Sequence, residues 1–143
     1  MANIIYNKKD LSGTLYVEIQ PGKFKGEHWS KTSIFLDEEA FGYLLPSIKK
    51  RYKNFSYYGF SDISCFTWKD ILKELDKTKA ILQSTPEESE IQYYIEFVEE
   101  GMDVTFKKCY KENLQHAIQI IDEFQRWMYK NIEKNECIAV LGI

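Results

Sequence analysis

Histidine and cysteine, which most often form metal sites and nucleophile–base pairs, are few in this chain of 143 residues. Its two histidines, His28 and His116, have no second histidine four residues away and no HExxH arrangement, so the sequence predicts no metal site. Cys109 and His116 are the one nucleophile and base that lie near each other, about two helical turns apart if both are helical. Since GxGxxG, P-loop and GxSxG patterns are also absent, we predict neither a cofactor nor catalytic residues.

Carboxylates are plentiful, and their distribution is uneven. Residues 80–106 include no lysine or arginine but seven acidic residues: Glu87, Glu88, Glu90, Glu96, Glu99, Glu100 and Asp103. One interpretation is a solvated face that keeps the protein soluble, and an acid–base pair is a further alternative. The other is a docking surface for a basic protein, because negative charges over a cationic cleft accelerate association and exclude nucleic acid.

Residues 52–68 read YKNFSYYGFSDISCFTW, and seven of these seventeen are aromatic. We predict that Tyr52, Phe66 and Trp68 belong to the core. Loop tyrosines combine an apolar ring with a hydroxyl group that tolerates water, which partner surfaces favour. The predicted partner anchors are therefore Tyr57, Tyr58 and Phe60. Alternatively, these rings pack over the sheet edge, form a homodimer interface, or line a small-molecule pocket with Trp68.

Composition limits the number of domains and the kinds of partner that this chain is expected to have. Apolar residues make up 44% and charged residues 29%, as in a globular domain, and no linker divides the chain, so we predict a single domain over residues 1–143. The net charge of −3 argues against direct nucleic-acid binding through a broad basic face. Without a secretory h-region or an apolar run of about 18 residues, the chain is predicted to be cytoplasmic and to have no membrane partner.

Three segments have the pattern of β-strands. Residues 13–20 alternate between apolar and polar side chains, which predicts a half-buried strand with Glu18 on its exposed face. Residues 32–36 and 136–142 are short runs of β-forming residues. With helices between them, these strands predict an α+β domain in which the last strand joins the first two in a largely antiparallel sheet.

Apolar stripes at helical spacing predict three helices, at residues 38–53, 67–83 and 114–132. Asp37 is the predicted N-cap of the first helix and Thr67 that of the second. Pro46 predicts a kink or two short helices, because proline cannot donate a hydrogen bond to the carbonyl of Gly42. Between the second and third helices, alternation favours a β-hairpin over residues 91–106, with a helix that begins near Pro86 as the alternative.

Four stretches carry a resemblance to a known group of proteins: FSYYGFSDI, TWKDILKEL, EFQRWM and ECIAVLGI. With them, residues 54–75 and 114–143 resemble small bacterial immunity proteins, which are encoded beside polymorphic or contact-dependent toxins. The resemblance is a pattern without a catalytic signature. It implies a cytosolic protein without enzymatic activity that binds one cognate toxin domain, often a nuclease.

These observations lead to one hypothesis for function. The protein is predicted to be a non-enzymatic immunity protein whose carboxylates take the places of substrate phosphates on a basic nuclease toxin. The predicted toxin-binding residues are Tyr57, Tyr58, Phe60, Glu87, Glu88, Glu96, Glu99, Glu100 and Asp103. The alternative function is a small-molecule-binding domain with an aromatic-lined pocket.

Overall fold

Strands from both ends of the chain meet in one sheet of a computed structural model, which describes residues 2–13 and 15–142. The described strands are β1 (Ile4–Ile5), β2 (Tyr16–Pro21), β3 (Ile34–Asp37), β4 (Phe60–Ser64) and β5 (Cys137–Leu141). The α-helices are α1 (Glu38–Arg51), α2 (Cys65–Gln83), α3 (Met102–Lys108) and α4 (Tyr110–Ile132), with 3-10 helices at Lys8–Asp10 and Glu88–Tyr93. The predicted α+β class is confirmed; Thr14, in the predicted first strand, lies outside the described residues.

The sheet has the order β1-β3-β2-β5-β4, and all neighbouring strands are antiparallel. Leu141 of β5 lies opposite Glu18 of β2 on one side and Phe60 of β4 on the other. The prediction that the last strand joins the N-terminal strands is therefore confirmed. Strand β4 was not predicted, because it lies within the aromatic stretch, where the alternation is short.

The face of β2 that carries Glu18, which we call the outer face, is buried, whereas the sequence predicts that it is exposed. Glu18 is only 3% exposed. Its carboxylate accepts hydrogen bonds from the amides of Trp29 and Ser30 at 2.6 and 3.0 Å and from the Ser33 hydroxyl at 2.6 Å. The loop between β2 and β3 thus covers this face, since the buried carboxylate satisfies its main-chain donors.

Helix α1 is continuous through Pro46, so of the two predicted outcomes, a kink or two short helices, the second is wrong. Asp37 caps its start as predicted, accepting a 2.8 Å hydrogen bond from the amide of Ala40. Pro46 lies within the helix and cannot donate to the Gly42 carbonyl. The amide of Glu96 donates to that carbonyl instead, at 3.0 Å, so a distant segment replaces the hydrogen bond that proline removes.

Helix α2 begins before the predicted Thr67 cap. The side chain of Ser64 caps it, accepting a hydrogen bond from the Thr67 amide at 3.1 Å. Phe66 therefore lies on the solvent side of the first turn and is 80% exposed, which contradicts its predicted place in the core. Trp68 is fully buried as predicted and donates to the Ile138 carbonyl at 3.0 Å, and Tyr52 packs partly buried against the core.

The acidic segment, which we define as residues 87–103, takes part in neither the predicted hairpin over 91–106 nor the alternative long helix. The 3-10 helix ends at Tyr93, an irregular segment follows, and Gly101 at φ 88° precedes α3. Ile95 and Phe106 are buried in the core from these different elements. Tertiary burial therefore overrides the strand alternation of this segment.

A carboxylate-centred ion-pair cluster joins the end of α1 to α2. Glu74, with a side chain 5% exposed, contacts the cationic groups of Lys50, Arg51 and Lys77. Mainly because Arg51 hydrogen-bonds to it, the pKa of Glu74 is lowered from 4.5 to about 2, although burial opposes that shift. The buried carboxylate is thus held in its charged form by cations at the surface.

We expect acid to weaken the fold through Glu74. Because its pKa is lower in the folded chain, its contribution is complete above pH 4.5 and is lost as the pH falls towards about 2. Since the cations are partly solvent-exposed, we expect a loss on the order of 1–2 kcal/mol of unfolding free energy. Urea unfolding at several pH values checks this, and Glu74→Gln should flatten the pH profile in this window.

Candidate functional site

A groove of about 660 Å³ follows the acidic segment between the 3-10 helix and α3. Its acidic lining residues are Glu88, Glu96, Glu99, Glu100 and Asp103. Lys107 is the cation that lines it, and Lys49 pairs with Glu96 at 2.9 Å. Among the ion pairs of the described residues, none includes the other four carboxylates. The groove therefore has an excess of negative charge.

The start of α1 adds acidic residues that sequence reasoning missed. The fold places the carboxyl group of Glu38 near that of Glu99. Burial raises the pKa of Glu38, and Glu99 raises it further. Glu39 accepts a hydrogen bond from the Tyr43 hydroxyl at 3.2 Å and lines a neighbouring hollow with Glu100. The sequence shows that Glu38 and Glu39 are acidic, but only the fold brings residues 38 and 99 together.

Two predicted aromatic anchors lie beside this acidic surface. Tyr58 is 82% exposed, and its ring meets that of Tyr57 edge-on at 5.3 Å. The Tyr57 ring also packs near the Phe41 ring of α1, with ring centroids 6.1 Å apart. Burial raises the pKa of Tyr57 to about 12, and the negative charges of Glu38 and Glu99 add to that effect.

The main chain of residues 57–59 is positioned by Gly142, which directly follows β5. The Gly142 amide donates to the Gly59 carbonyl at 2.8 Å. A side chain at Gly142 would overlap the carbonyl group of Tyr57. Tyr58 is therefore presented to solvent from a backbone that is hydrogen-bonded at the next residue and packed closely at the preceding one, which lowers the entropy that a partner must remove.

The remaining predicted site residues lie elsewhere. Phe60, on the outer face of β4, packs against Phe24 of the loop that covers the sheet, with ring centroids 4.9 Å apart. Glu87 does not line the acidic groove and lies near Tyr110, whose pKa is raised first by burial and then by the charges of Glu88 and Glu87. The structure thus brings together Tyr57, Tyr58 and residues 96–103 but separates Phe60 from them.

The aromatic residues predicted to line a small-molecule pocket do not come together. Trp68 is enclosed in the core, Tyr57 packs on α1, and Phe60 lies on the opposite face of the sheet. These rings cannot line one cavity. Among the described residues, no three His, Cys, Asp or Glu side chains form a group suited to a metal ion.

The Tyr57 hydroxyl is buried without a hydrogen-bond partner among the described residues. Tyr57→Phe should therefore raise the unfolding free energy by about 0.5–1 kcal/mol, because it removes a desolvated polar group. The matched control is Tyr110→Phe, which loses a 2.6 Å hydrogen bond to the Pro86 carbonyl and should lower stability by about 1 kcal/mol. Urea unfolding of both variants checks the prediction; equal losses would contradict it.

Comparisons with protein-family models, with characterised proteins and with solved structures find no match to this chain. No described helix has the length and apolar character needed to cross a membrane. The acidic and aromatic surface is therefore the one feature from which a function can be inferred. We call this surface, formed by Glu38, Glu96, Glu99, Glu100, Asp103, Tyr57 and Tyr58, the acidic face.

Proposed function

We propose that this protein is a non-enzymatic, cytoplasmic immunity protein that binds and neutralises a cognate bacterial toxin domain, a basic nuclease. The observation that carries the proposal is the proximity of Glu38 and Glu99 to Tyr57, whose ring contacts the exposed ring of Tyr58. Like charges held together destabilise the free protein, and a cationic partner relieves that repulsion on binding. The acidic face is therefore expected to bind a basic protein.

The proposed mechanism is occupation of the toxin's phosphate-binding cleft. Carboxylates of the acidic face pair with lysine and arginine side chains that otherwise bind substrate phosphates. Tyr58 supplies the aromatic anchor, because a rigid exposed ring loses little conformational entropy when it is buried at an interface. The negative charge also accelerates association with a basic protein.

The test is co-expression with the toxin encoded by the neighbouring gene. We expect growth to be restored and the two chains to co-elute as a one-to-one complex on a sizing column with mass measurement. A toxin that kills cells but is neither bound nor relieved would contradict the proposal. The same column measures the free protein, so a homodimer that persists and excludes the toxin would also count against it.

A further inference from the structure

A second groove, of about 720 Å³, has the opposite charge. Its floor is β2 and the turn after it, and its walls come from the 3-10 helix near the N-terminus and the loop between β2 and β3. Four lysines line it: Lys8, Lys23, Lys25 and Lys31. Glu27 is the one carboxylate in its lining. The overall charge of −3 conceals this local concentration of cations.

Within residues 2–13 and 15–142, no carboxylate forms an ion pair with any of the four lysines. All four are exposed. Ammonium groups gathered in one groove repel each other, and phosphate groups are their natural counter-charge. The groove is therefore suited to a polyanion.

An aromatic platform accompanies the lysines. Trp29 lines the same groove and is 44% exposed. Its φ angle is 62°, a left-handed conformation that is unfavourable for a bulky residue. The buried carboxylate of Glu18 holds this conformation through the Trp29 amide, and Gln20 also holds the loop, donating to the Glu27 carbonyl at 2.9 Å. A strained backbone that presents a large ring to solvent indicates a role for the ring itself.

We propose that this basic groove binds a nucleoside polyphosphate, with the base stacked on Trp29 and the phosphates held by the lysines. Lysine serves as a point charge for phosphate, and an indole ring stacks on bases of any type. The volume of about 720 Å³ is within the range of small-ligand sites. A long nucleic-acid strand is disfavoured, because beyond the groove it meets a chain with net negative charge.

The proposal is tested with the free protein and without a toxin, so its outcome is independent of the immunity function. The probes are ATP, GTP, inorganic tripolyphosphate and a single-stranded oligonucleotide, each titrated by calorimetry without divalent cations. We expect both nucleotides to bind at one site, tripolyphosphate to bind about tenfold more weakly, and affinity to fall as salt is added.

Two variants separate the phosphate contacts from the stacking contact. The triple substitution Lys23→Ala, Lys25→Ala and Lys31→Ala should weaken nucleotide binding at least about tenfold. The charge-matched control replaces three exposed lysines elsewhere, Lys69, Lys73 and Lys130, and should change affinity less than about twofold.

Trp29→Gly removes the ring while keeping a residue that readily adopts positive φ. It should weaken nucleotide binding about tenfold and leave the melting temperature unchanged or higher, a result that a purely structural role for Trp29 would not give. Absence of nucleotide binding overturns the proposal. Tripolyphosphate that binds as tightly as ATP overturns it too, as does an oligonucleotide that binds at least about tenfold more tightly than ATP.

Discussion

Gly42→Ala should destabilise the protein by about 3 kcal/mol, although alanine is the better helix former. A Cβ atom at position 42 would overlap the main-chain carbonyl oxygen of Glu96, which is too rigid to move aside. The substitution would also separate the Glu96 amide from the Gly42 carbonyl, which is left without a helical donor by Pro46. Helix propensity alone predicts a gain of about 1 kcal/mol, so the two effects differ in sign.

Urea unfolding measures the loss, and hydrogen exchange locates it. Exchange of the Glu96 amide should accelerate in Gly42→Ala, because this amide is protected by α1 in the native protein. The control is Gly59→Ala, whose Cβ would meet the Ser56 hydroxyl at an ordinary 3.5 Å and should change stability by less than about 0.5 kcal/mol. A Gly42→Ala protein as stable as the original chain would show that the acidic segment is not seated on α1.

Reversing two charges of the acidic face should cause the largest change in toxin affinity. The double variant Glu99→Lys, Glu100→Lys replaces attraction to a basic cleft with repulsion at its centre. Close charge pairs at protein interfaces contribute about 1.5–7 kcal/mol each, so we expect the dissociation constant to rise at least about 100-fold. The association rate should fall with it and lose its salt dependence.

The same double variant should not weaken the fold. Glu99 lies beside Glu38, so the reversal removes a repulsion, and the unfolding free energy should stay constant or rise. Stability and affinity therefore change independently, which separates loss of binding from misfolding. The charge-matched control is Glu133→Lys, Glu136→Lys, two exposed positions outside the acidic groove, and it should keep its affinity within about threefold.

Binding measured by surface plasmon resonance at low and high salt decides the matter. Unchanged affinity and salt dependence in the Glu99 and Glu100 variant would place the toxin on another surface. Tyr58 would then be the next residue to replace, because it is the most exposed of the large apolar side chains. Equal losses in the test and control variants would indicate a general charge effect without a defined interface.

Local patterns in the sequence determined much of this fold. The apolar stripes of α1, α2 and α4, the Asp37 cap and the terminal apolar strand each depend on residues close together in the chain. Hydrophobic periodicity of this kind reports burial directly. The α+β class and the largely antiparallel sheet could therefore be predicted, because strands at both ends with helices between them allow few arrangements.

Tertiary contacts decided the elements that were predicted incorrectly. The strand pattern predicts that Glu18 is exposed. In the structure, main-chain amides of the loop after β2 donate hydrogen bonds to its carboxylate and bury it. Pro46 predicts a break in the helix. In the structure, the amide of Glu96 donates to the Gly42 carbonyl, which Pro46 leaves without a helical donor. In both cases, groups distant in sequence satisfy a polar atom, and no local pattern contains that information.

The candidate site shows the same division. Its charge excess and its aromatic residues are properties of the composition of residues 52–68 and 80–106, and the sequence alone determined them. Only the tertiary structure placed Glu38 near Glu99, brought Tyr57 close to both, and placed Phe60 on the other face of the sheet. The physical reason is that charge and ring content are fixed residue by residue, whereas their neighbours depend on how α1, β4 and the acidic segment pack.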